Sequence, residues 1–150
     1  MRRPRATLAL LVVGVDRFKH VNGTYGHGAV DEVLASIGAT LVSISRADGT
    51  AARLGGDEFA LLLPSTALPA AEATARRLRD AVRALSCHGA TVSVGVAVTT
   101  EPGDASALLA AADAAVYRAK RSARDTVALA VTAGPDAGSV PGRRTLTVVP

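Results

Sequence analysis

The sequence predicts an α+β domain in which helices flank a central antiparallel sheet, a ferredoxin-like arrangement. Two patterns predict it. Runs rich in Leu and Val alternate with Ala-rich segments of helical periodicity, and a glycine pair separates two strand-like runs, as in a β-hairpin. The resulting order is β-α-β-β-α-β-α-β, whose first six elements match the ferredoxin-like unit. With 150 residues, the chain has room for one domain with a hydrophobic core and not for two.

The first half of the chain is predicted to contain a buried strand, a helix and a hairpin. The strand, residues 7–15, is too short to cross a bilayer and leads into polar residues without a signal-cleavage site. A polar stretch rich in Gly, Asn and His follows, and residues 28–45 then place apolar side chains at helical spacing. Residues 50–54 and 59–63 form the hairpin, in which Gly55-Gly56 is expected to give the backbone a positive φ.

The second half is predicted to contain two helices and two strands before a tail. Residues 68–85 and about 106–123 are Ala-rich, and apolar residues recur at helical spacing in the first of them. Residues 91–99 place Val at alternate positions, as in a strand, and residues 127–131 form the last strand of the domain. We expect residues 132–150, which are rich in Gly and Pro, to be a disordered tail whose final RTLTVVP is either a strand or a loose end.

Positive charge is concentrated at the ends of the chain. The net charge is +4, and residues 1–6 contain three arginines, whereas twelve basic and twelve acidic side chains lie between residues 6 and 131. Aromatic residues make up 3% of the chain, too few for a surface that stacks nucleic-acid bases. We therefore expect a basic N-terminal end (residues 1–6), a neutral domain (residues 7–131) that binds no nucleic acid, and the tail.

The chain has a single cysteine, Cys87. One cysteine excludes both an intramolecular disulfide and a cysteine-based zinc site. A chain without an intramolecular disulfide fits a reducing compartment, so we expect a cytoplasmic protein.

Two neighbouring carboxylates, Asp57 and Glu58, follow Gly55-Gly56 at the predicted hairpin tip. Two adjacent carboxylates cannot both point into a core without partners. Carboxylate oxygens at an exposed turn suit Mg²⁺, which usually takes one or two protein carboxylates together with substrate phosphates. The turn is therefore a candidate metal and phosphate site.

Two further pairs of polar residues have chemistry that suits a nucleotide. Asn22 and Asp31 offer an amide and a carboxylate that can pair with the edge of guanine. Taken alone, they are equally well a loop residue and an acid in the first turn of a helix. Lys120 and Arg124 are four residues apart, so if the helix continues that far they share a face that can hold an anion. A solvated basic face is the alternative.

Three stretches of the chain match one known pattern. They are RLGGDEFA at residues 53–60, VDRFKHVNGTYGHGAVDEVL at residues 15–34 and ADAAVYRAKRSAR at residues 112–124. Together they resemble the GGDEF family, whose active members are diguanylate cyclases that condense two GTP into cyclic di-GMP. The resemblance implies a palm-type, nucleotidyl cyclase-like fold and a transient homodimer in which two chains each present one GTP.

The resemblance also implies a role for each candidate residue. The catalytic turn would consist of Gly55, Gly56, Asp57 and Glu58. Asp57 and Asp16 would hold Mg²⁺ or Mn²⁺, which would stabilise the attacking and leaving oxygens. Asn22 and Asp31 would recognise guanine, and the rest of the substrate would contact Phe18, Lys19, Lys120 and Arg124.

The departures of the chain from the family's pattern include a metal ligand and the inhibitory site. The first Asp of the family's D-x-D motif, a metal ligand, is Gly14 here, and glycine has no side chain that can bind a metal ion. The family's inhibitory R-x-x-D site is degenerate, because Arg46 is followed three residues later by Gly49 and Asp48 comes one place early.

The sequence is compatible with two functions. The first is a diguanylate cyclase that is weak at best, because the loss of one carboxylate from a two-metal site removes transition-state stabilisation. The second is a module without catalytic activity that binds GTP, cyclic di-GMP or an unidentified protein partner.

Overall fold

The fold is seen in a computed structural model that describes residues 7–45, 47–100 and 105–130, together with the backbone of residues 147–148. Its strands are β1 (Leu8–Val15), β2 (Thr50–Arg53), β3 (Glu58–Pro64), β4 (Val92–Thr99), β5 (Val127–Leu129) and β6 (Thr147–Val148). Its helices are α1 (Phe18–Tyr25), α2 (His27–Ile44), α3 (Leu68–Leu85) and α4 (Ala105–Ser122).

The strands form one sheet in the order β5-β4-β1-β3-β2-β6. β1 lies in the middle and is antiparallel to both β3 and β4, whereas β5 runs parallel to β4. Seven of the eight residues of β1 are buried, because helices cover both faces of the sheet. The predicted α+β fold with a central, mostly antiparallel sheet is confirmed.

Alternate residues of β1 face different helices. Leu11 and Val13 pack in a cluster with the buried faces of α2 and α3, and Val12 packs in a second cluster with α4. α4 approaches β4 very closely at Gly95, where an added Cβ would lie 2.2 Å from the carbonyl oxygen of Ala112. Because Gly95 has no side chain, the middle of α4 can lie directly on the sheet.

The polar stretch after β1, for which the sequence predicted no element, is the helix α1. It follows Arg17, which has a left-handed φ of 53°, and Val21 is its only buried residue. With eight residues and one buried side chain, this helix has only a weak apolar pattern, and the sequence analysis therefore did not predict it. α1 ends at Gly26, which has a φ of 83° and donates its backbone N–H to the carbonyl of Asn22.

Part of the predicted tail forms a short strand at the edge of the sheet. Thr147 and Val148, which make up β6, pair with Arg53 and Ala52 of β2. The other residues from 131 onward and the basic end at residues 1–6 lie outside the described residues, so the predicted disorder of the tail stays a prediction.

Candidate functional site

The β2–β3 hairpin presents the Gly-Gly-Asp-Glu turn at one edge of the sheet. Gly55 and Gly56 are exposed, and Asp57 and Glu58 are half-buried. The Arg53 guanidinium holds the turn from one side, since its Nε donates to the carbonyl of Gly55 at 2.9 Å and its Nη2 to that of Gly56 at 2.8 Å. The backbone of the turn is therefore held in place by Arg53, which lies only two residues before Gly55.

The two turn glycines do not have the positive φ that the sequence analysis expected. Among the described residues, the glycines with positive φ are Gly26 and Gly89. A Cβ added to Gly55 or Gly56 would meet nothing within 4 Å. The glycines therefore leave open space above the turn, where a ligand can approach the backbone, and are not needed there for an unusual backbone conformation.

The carboxylate turn lies beside the carboxyl end of β1. Gly14 is paired with Glu58 in the β1–β3 register, and the backbone N–H of Val15 donates to the carbonyl of Asp57 at 2.9 Å. The sheet thus brings the gap in the D-x-D motif next to the two turn carboxylates.

Lys120 from α4 fills the space next to Gly14. A Cβ added to Gly14 would lie 2.8 Å from Lys120 Cε and 3.0 Å from its Nζ. The ammonium group donates a hydrogen bond to the carbonyl of Val15 at 3.1 Å. A fixed positive charge therefore lies where the family's pattern places a carboxylate, and this half-buried lysine is one of the predicted phosphate-binding residues.

Asp16 is a buried connector between three segments of the chain. Its side chain is 3% exposed. Its Oδ1 accepts a hydrogen bond from Ser93 Oγ at 2.6 Å, and its Oδ2 accepts from Thr91 Oγ1 and from the backbone N–H of Asp125, both at 2.8 Å. The proposed metal role of Asp16 stays a prediction, and this geometry counts against it because both oxygens are already engaged.

The loop after α4 is anchored by an ion pair as well as by Asp16. Asp125 Oδ2 accepts a hydrogen bond from Arg83 Nε at 2.7 Å. This hydrogen bond and the charge of Asp125 raise the pKa of Arg83 above its usual value. The Arg83 guanidinium of α3 therefore ties the loop to that helix.

The residues predicted to bind guanine lie on two consecutive helices. Asn22 is on α1 and Asp31 is on α2, and both are exposed, as is Lys19. Phe18 is partly buried against the core on the α2 side of the sheet, so it anchors α1 rather than facing solvent. Their roles in substrate binding stay predictions.

Arg124 does not share a helix face with Lys120. α4 ends at Ser122, and Arg124 has a left-handed φ of 52° and is exposed. Its backbone N–H donates to the carbonyl of Ala119 at 3.1 Å, which closes the end of the helix. The shared basic face, which depended on a longer helix, is therefore absent.

The predicted inhibitory site is only partly described. Arg46 lies outside the described residues, and Asp48 is exposed in the turn before β2. A degenerate inhibitory site at these positions stays a prediction.

The residues at the end of β1 do not fit the metal site that the resemblance implies. Gly14 offers no side-chain ligand atom, and both oxygens of Asp16 already accept hydrogen bonds. The Val15 carbonyl accepts a hydrogen bond from the Lys120 ammonium. A positive charge beside a divalent cation repels it. Asp57 and Glu58 are the carboxylates that remain at this edge.

A central antiparallel sheet with a pair of carboxylates on a hairpin beside its middle strand is the architecture of palm-type, nucleotidyl cyclase-like domains. Residues 1–126 match the family described as "Diguanylate cyclase, GGDEF domain". The chain therefore belongs to the GGDEF domain family, as the sequence motifs indicated.

Relatives and solved structures agree with this assignment. The chain is 42% identical over 122 residues to diguanylate cyclase DgcM of Escherichia coli, covering 79% of this chain and 30% of that protein. The GGDEF domain of DgcB from Caulobacter crescentus, solved with cyclic di-GMP, superposes with a TM-score of 0.76 at 30% identity, covering 83% of this chain and 78% of that one.

A third comparison is with diguanylate cyclase SiaD of Pseudomonas aeruginosa, solved in complex with its activator SiaC. It superposes with a TM-score of 0.78 at 39% identity, covering 83% of this chain and 50% of that one. The chain spans less than a third of the length of DgcM.

In the part of the chain that the structure describes, no helix is long and apolar enough to cross a membrane.

Sequence reasoning did not identify the partners of Asp16 or the position of Lys120. Asp16 is separated by 75 residues from Thr91 and by 109 from Asp125, and Lys120 by 105 from Val15. No local pattern indicates contacts over such separations. The one local signal was the glycine at position 14, where the family's pattern has Asp, because a glycine leaves room beside it for a long side chain.

Proposed function

We propose that this chain is a GGDEF module of cyclic di-GMP signalling of the diguanylate cyclase type, which binds GTP and turns it over slowly or not at all. The observation on which this rests is the Lys120 ammonium, held against the Val15 carbonyl beside Gly14. It places a lysine side chain at the edge where the family, which is typically metal-dependent, would place a metal ion. We also propose a cytoplasmic location.

In this proposal, different residues of the chain bind different parts of GTP. Asn22 and Asp31, exposed on α1 and α2, pair with the guanine edge, which offers hydrogen-bond donors and acceptors to an amide and a carboxylate. Lys19 and Lys120 attract the phosphates. The open space above Gly55 and Gly56 lets the backbone of the turn approach the nucleotide.

The reaction of the family joins two GTP, the 3′-hydroxyl of one attacking the α-phosphate of the other with release of pyrophosphate. A single lysine can neutralise phosphate charge, but it does not coordinate an attacking hydroxyl as a metal ion does. Binding is therefore expected to survive the loss of the carboxylate at position 14 better than turnover does.

The test is incubation of the purified chain with GTP and Mg²⁺ or Mn²⁺, with chromatography for cyclic di-GMP beside calorimetric titration of GTP. We expect binding in both EDTA and Mg²⁺, with little or no product. Rapid formation of cyclic di-GMP would contradict the loss of turnover. Failure to bind either GTP or cyclic di-GMP would favour the alternative, a module that binds a protein partner.

The dimer in which two GTP meet is also part of the proposal. We expect the chain to be mostly monomeric without ligand, because the acidic Asp57-Glu58 turns of two chains repel each other. Light scattering over a concentration series, with and without GTP and Mg²⁺, measures this. A stable dimer without ligand would contradict the expectation.

A further inference from the structure

Three side chains with metal-binding chemistry converge between α2 and the loop that follows α3. Glu32 belongs to α2, and Cys87 and His88 belong to the loop between α3 and β4. One ligand atom from each residue lies within 4.8 Å of the other two. His88 Nε2 is 2.9 Å from Glu32 Oε2. We call these residues the Glu32–Cys87–His88 cluster.

The spacing of the cluster is close to that of a metal site. A zinc ion binds sulfur at about 2.3 Å and nitrogen or oxygen at about 2.0–2.2 Å, so the ligand atoms around a tetrahedral ion lie roughly 3.3–3.8 Å apart. The widest separation in the cluster, up to 4.8 Å, therefore has to shorten by about 1–1.5 Å. The 2.9 Å pair of His88 Nε2 and Glu32 Oε2 has to open by about 0.5 Å, and side-chain rotation supplies both changes.

The loop backbone presents two consecutive residues, Cys87 and His88, toward the same helix. Ser86, His88 and Gly89 have φ values of 49°, 51° and 70°, and the N–H of Ala90 donates to the carbonyl of Cys87 at 2.9 Å. Left-handed φ is uncommon for residues other than glycine. This tight turn brings a thiol and an imidazole to the Glu32 carboxylate, although neighbouring side chains in an extended chain point apart.

Neighbouring side chains also hold the two loop ligands. Ser36 Oγ donates to Cys87 Sγ at 4.0 Å, and the Tyr25 ring packs with its centroid 5.0 Å from that of His88. Outer contacts of this kind orient metal ligands. Cys87 and His88 are half-buried and Glu32 is exposed, which leaves one side open to water.

We propose that the Glu32–Cys87–His88 cluster binds a divalent ion of the zinc class, with water in the fourth position. A thiolate and an imidazole select Zn²⁺ over Mg²⁺ or Ca²⁺, which prefer ligand sets made of oxygen. The bound ion links α2 to the α3–β4 loop. The sequence analysis excluded a cysteine-based zinc site because one cysteine is too few by itself, but the fold adds the histidine and the carboxylate.

The test uses the full chain, stripped of metal under reducing conditions and free of nucleotide, so its outcome does not depend on the proposed function. Co²⁺ is titrated while the thiolate-to-cobalt charge-transfer absorption is recorded, and Zn²⁺ is then added as competitor. We expect one equivalent of Co²⁺ to produce the band, Zn²⁺ to abolish it, and Zn²⁺ to raise the midpoint of thermal unfolding.

The variants separate the cluster from a reactive thiol alone. Cys87→Ser removes the band, and His88→Asn and Glu32→Gln each weaken Co²⁺ binding by at least tenfold. Asn is chosen because it tolerates the left-handed backbone at position 88. His20→Asn, at an exposed position of α1, is the matched control and keeps the parent's affinity.

Circular dichroism confirms that each variant is folded before its affinity is compared. The proposal is overturned if the parent shows no charge-transfer band. It is also overturned if His88→Asn and Glu32→Gln bind Co²⁺ as tightly as the parent, since Cys87 alone would then be the ligand.

Discussion

Replacing Gly14 with Asp tests whether Lys120 takes the place of a metal ion. Gly14 lies in β1, and its φ is not among the positive values, so a side chain is compatible with the backbone. The new Cβ would meet Lys120 Cε at 2.8 Å and Val116 Cγ1 at 3.3 Å. The closest contact is to the end of a flexible side chain, which can move aside.

The magnitude of the effect follows from charge neutralisation. Two unit charges about 4 Å apart interact by about 4 kcal/mol at an effective dielectric constant of about 20. Lys120 is half-buried, so solvent screening reduces this to about 1.4–2 kcal/mol. When the new carboxylate neutralises the ammonium, GTP affinity in EDTA is expected to fall roughly ten- to thirtyfold.

The assay is calorimetric titration of GTP in EDTA and in Mg²⁺. For the parent, we expect the two dissociation constants to differ by less than about threefold, because the ammonium needs no metal ion. For Gly14→Asp, Mg²⁺ is expected to restore the affinity lost in EDTA, because the new carboxylate and the turn carboxylates then provide ligands.

Matched variants separate the effect of side-chain charge on GTP binding from the effect of side-chain size. Gly14→Asn has nearly the same size without charge and should bind GTP in EDTA like the parent, apart from any effect of displacing Lys120. Lys120→Gln should bind GTP weakly in EDTA, whereas Arg121→Gln, one residue further along α4 and exposed, should not. Equal Mg²⁺ dependence in the parent and Gly14→Asp would refute the reasoning.

Three further predictions concern guanine recognition and stability. Asn22→Ala or Asp31→Ala is expected to weaken GTP binding much more than ATP binding, measured by calorimetry, because donors on the base lose their partners. Asp16→Asn is expected to destabilise the fold by about 1–3 kcal/mol in urea unfolding, because an amide NH₂ cannot accept from the surrounding donors. Gly95→Ala is expected to cost about 1–3 kcal/mol or more, since its Cβ would overlap the α4 backbone.

Each of these predictions has a control and an opposing result. Equal losses for GTP and ATP would mean that Asn22 and Asp31 only shape their helices. Asp31 is exposed on α2, so Asp31→Asn should change the free energy of unfolding by less than about 0.5 kcal/mol. If Asp16→Asn and this control lost similar amounts of stability, the structural role of the Asp16 hydrogen bonds would be contradicted. Gly23→Ala has open space around the new methyl group and should not destabilise; a tolerated Gly95→Ala would show that α4 can move off the sheet.

The sequence alone determined the fold class, most element positions and the family. β1 and β4 were predictable because a strand buried by helices must be apolar, and the hairpin because a glycine pair separated two such runs. The motif around Gly55-Gly56 and the gap at Gly14 were also visible, because both are local patterns. α1 was not, because one buried valine is too weak a signal in a polar segment.

Only the tertiary structure decided what the gap at Gly14 contains. The contact of Lys120 with Val15 depends on α4 lying directly on Gly95, so that the end of the helix reaches the middle strand. In the same way, Asp16 meets its donors and Glu32 meets His88 only because strands and helices distant in the chain are packed together. Such contacts depend on the packing of whole elements, and local sequence patterns encode only the elements themselves.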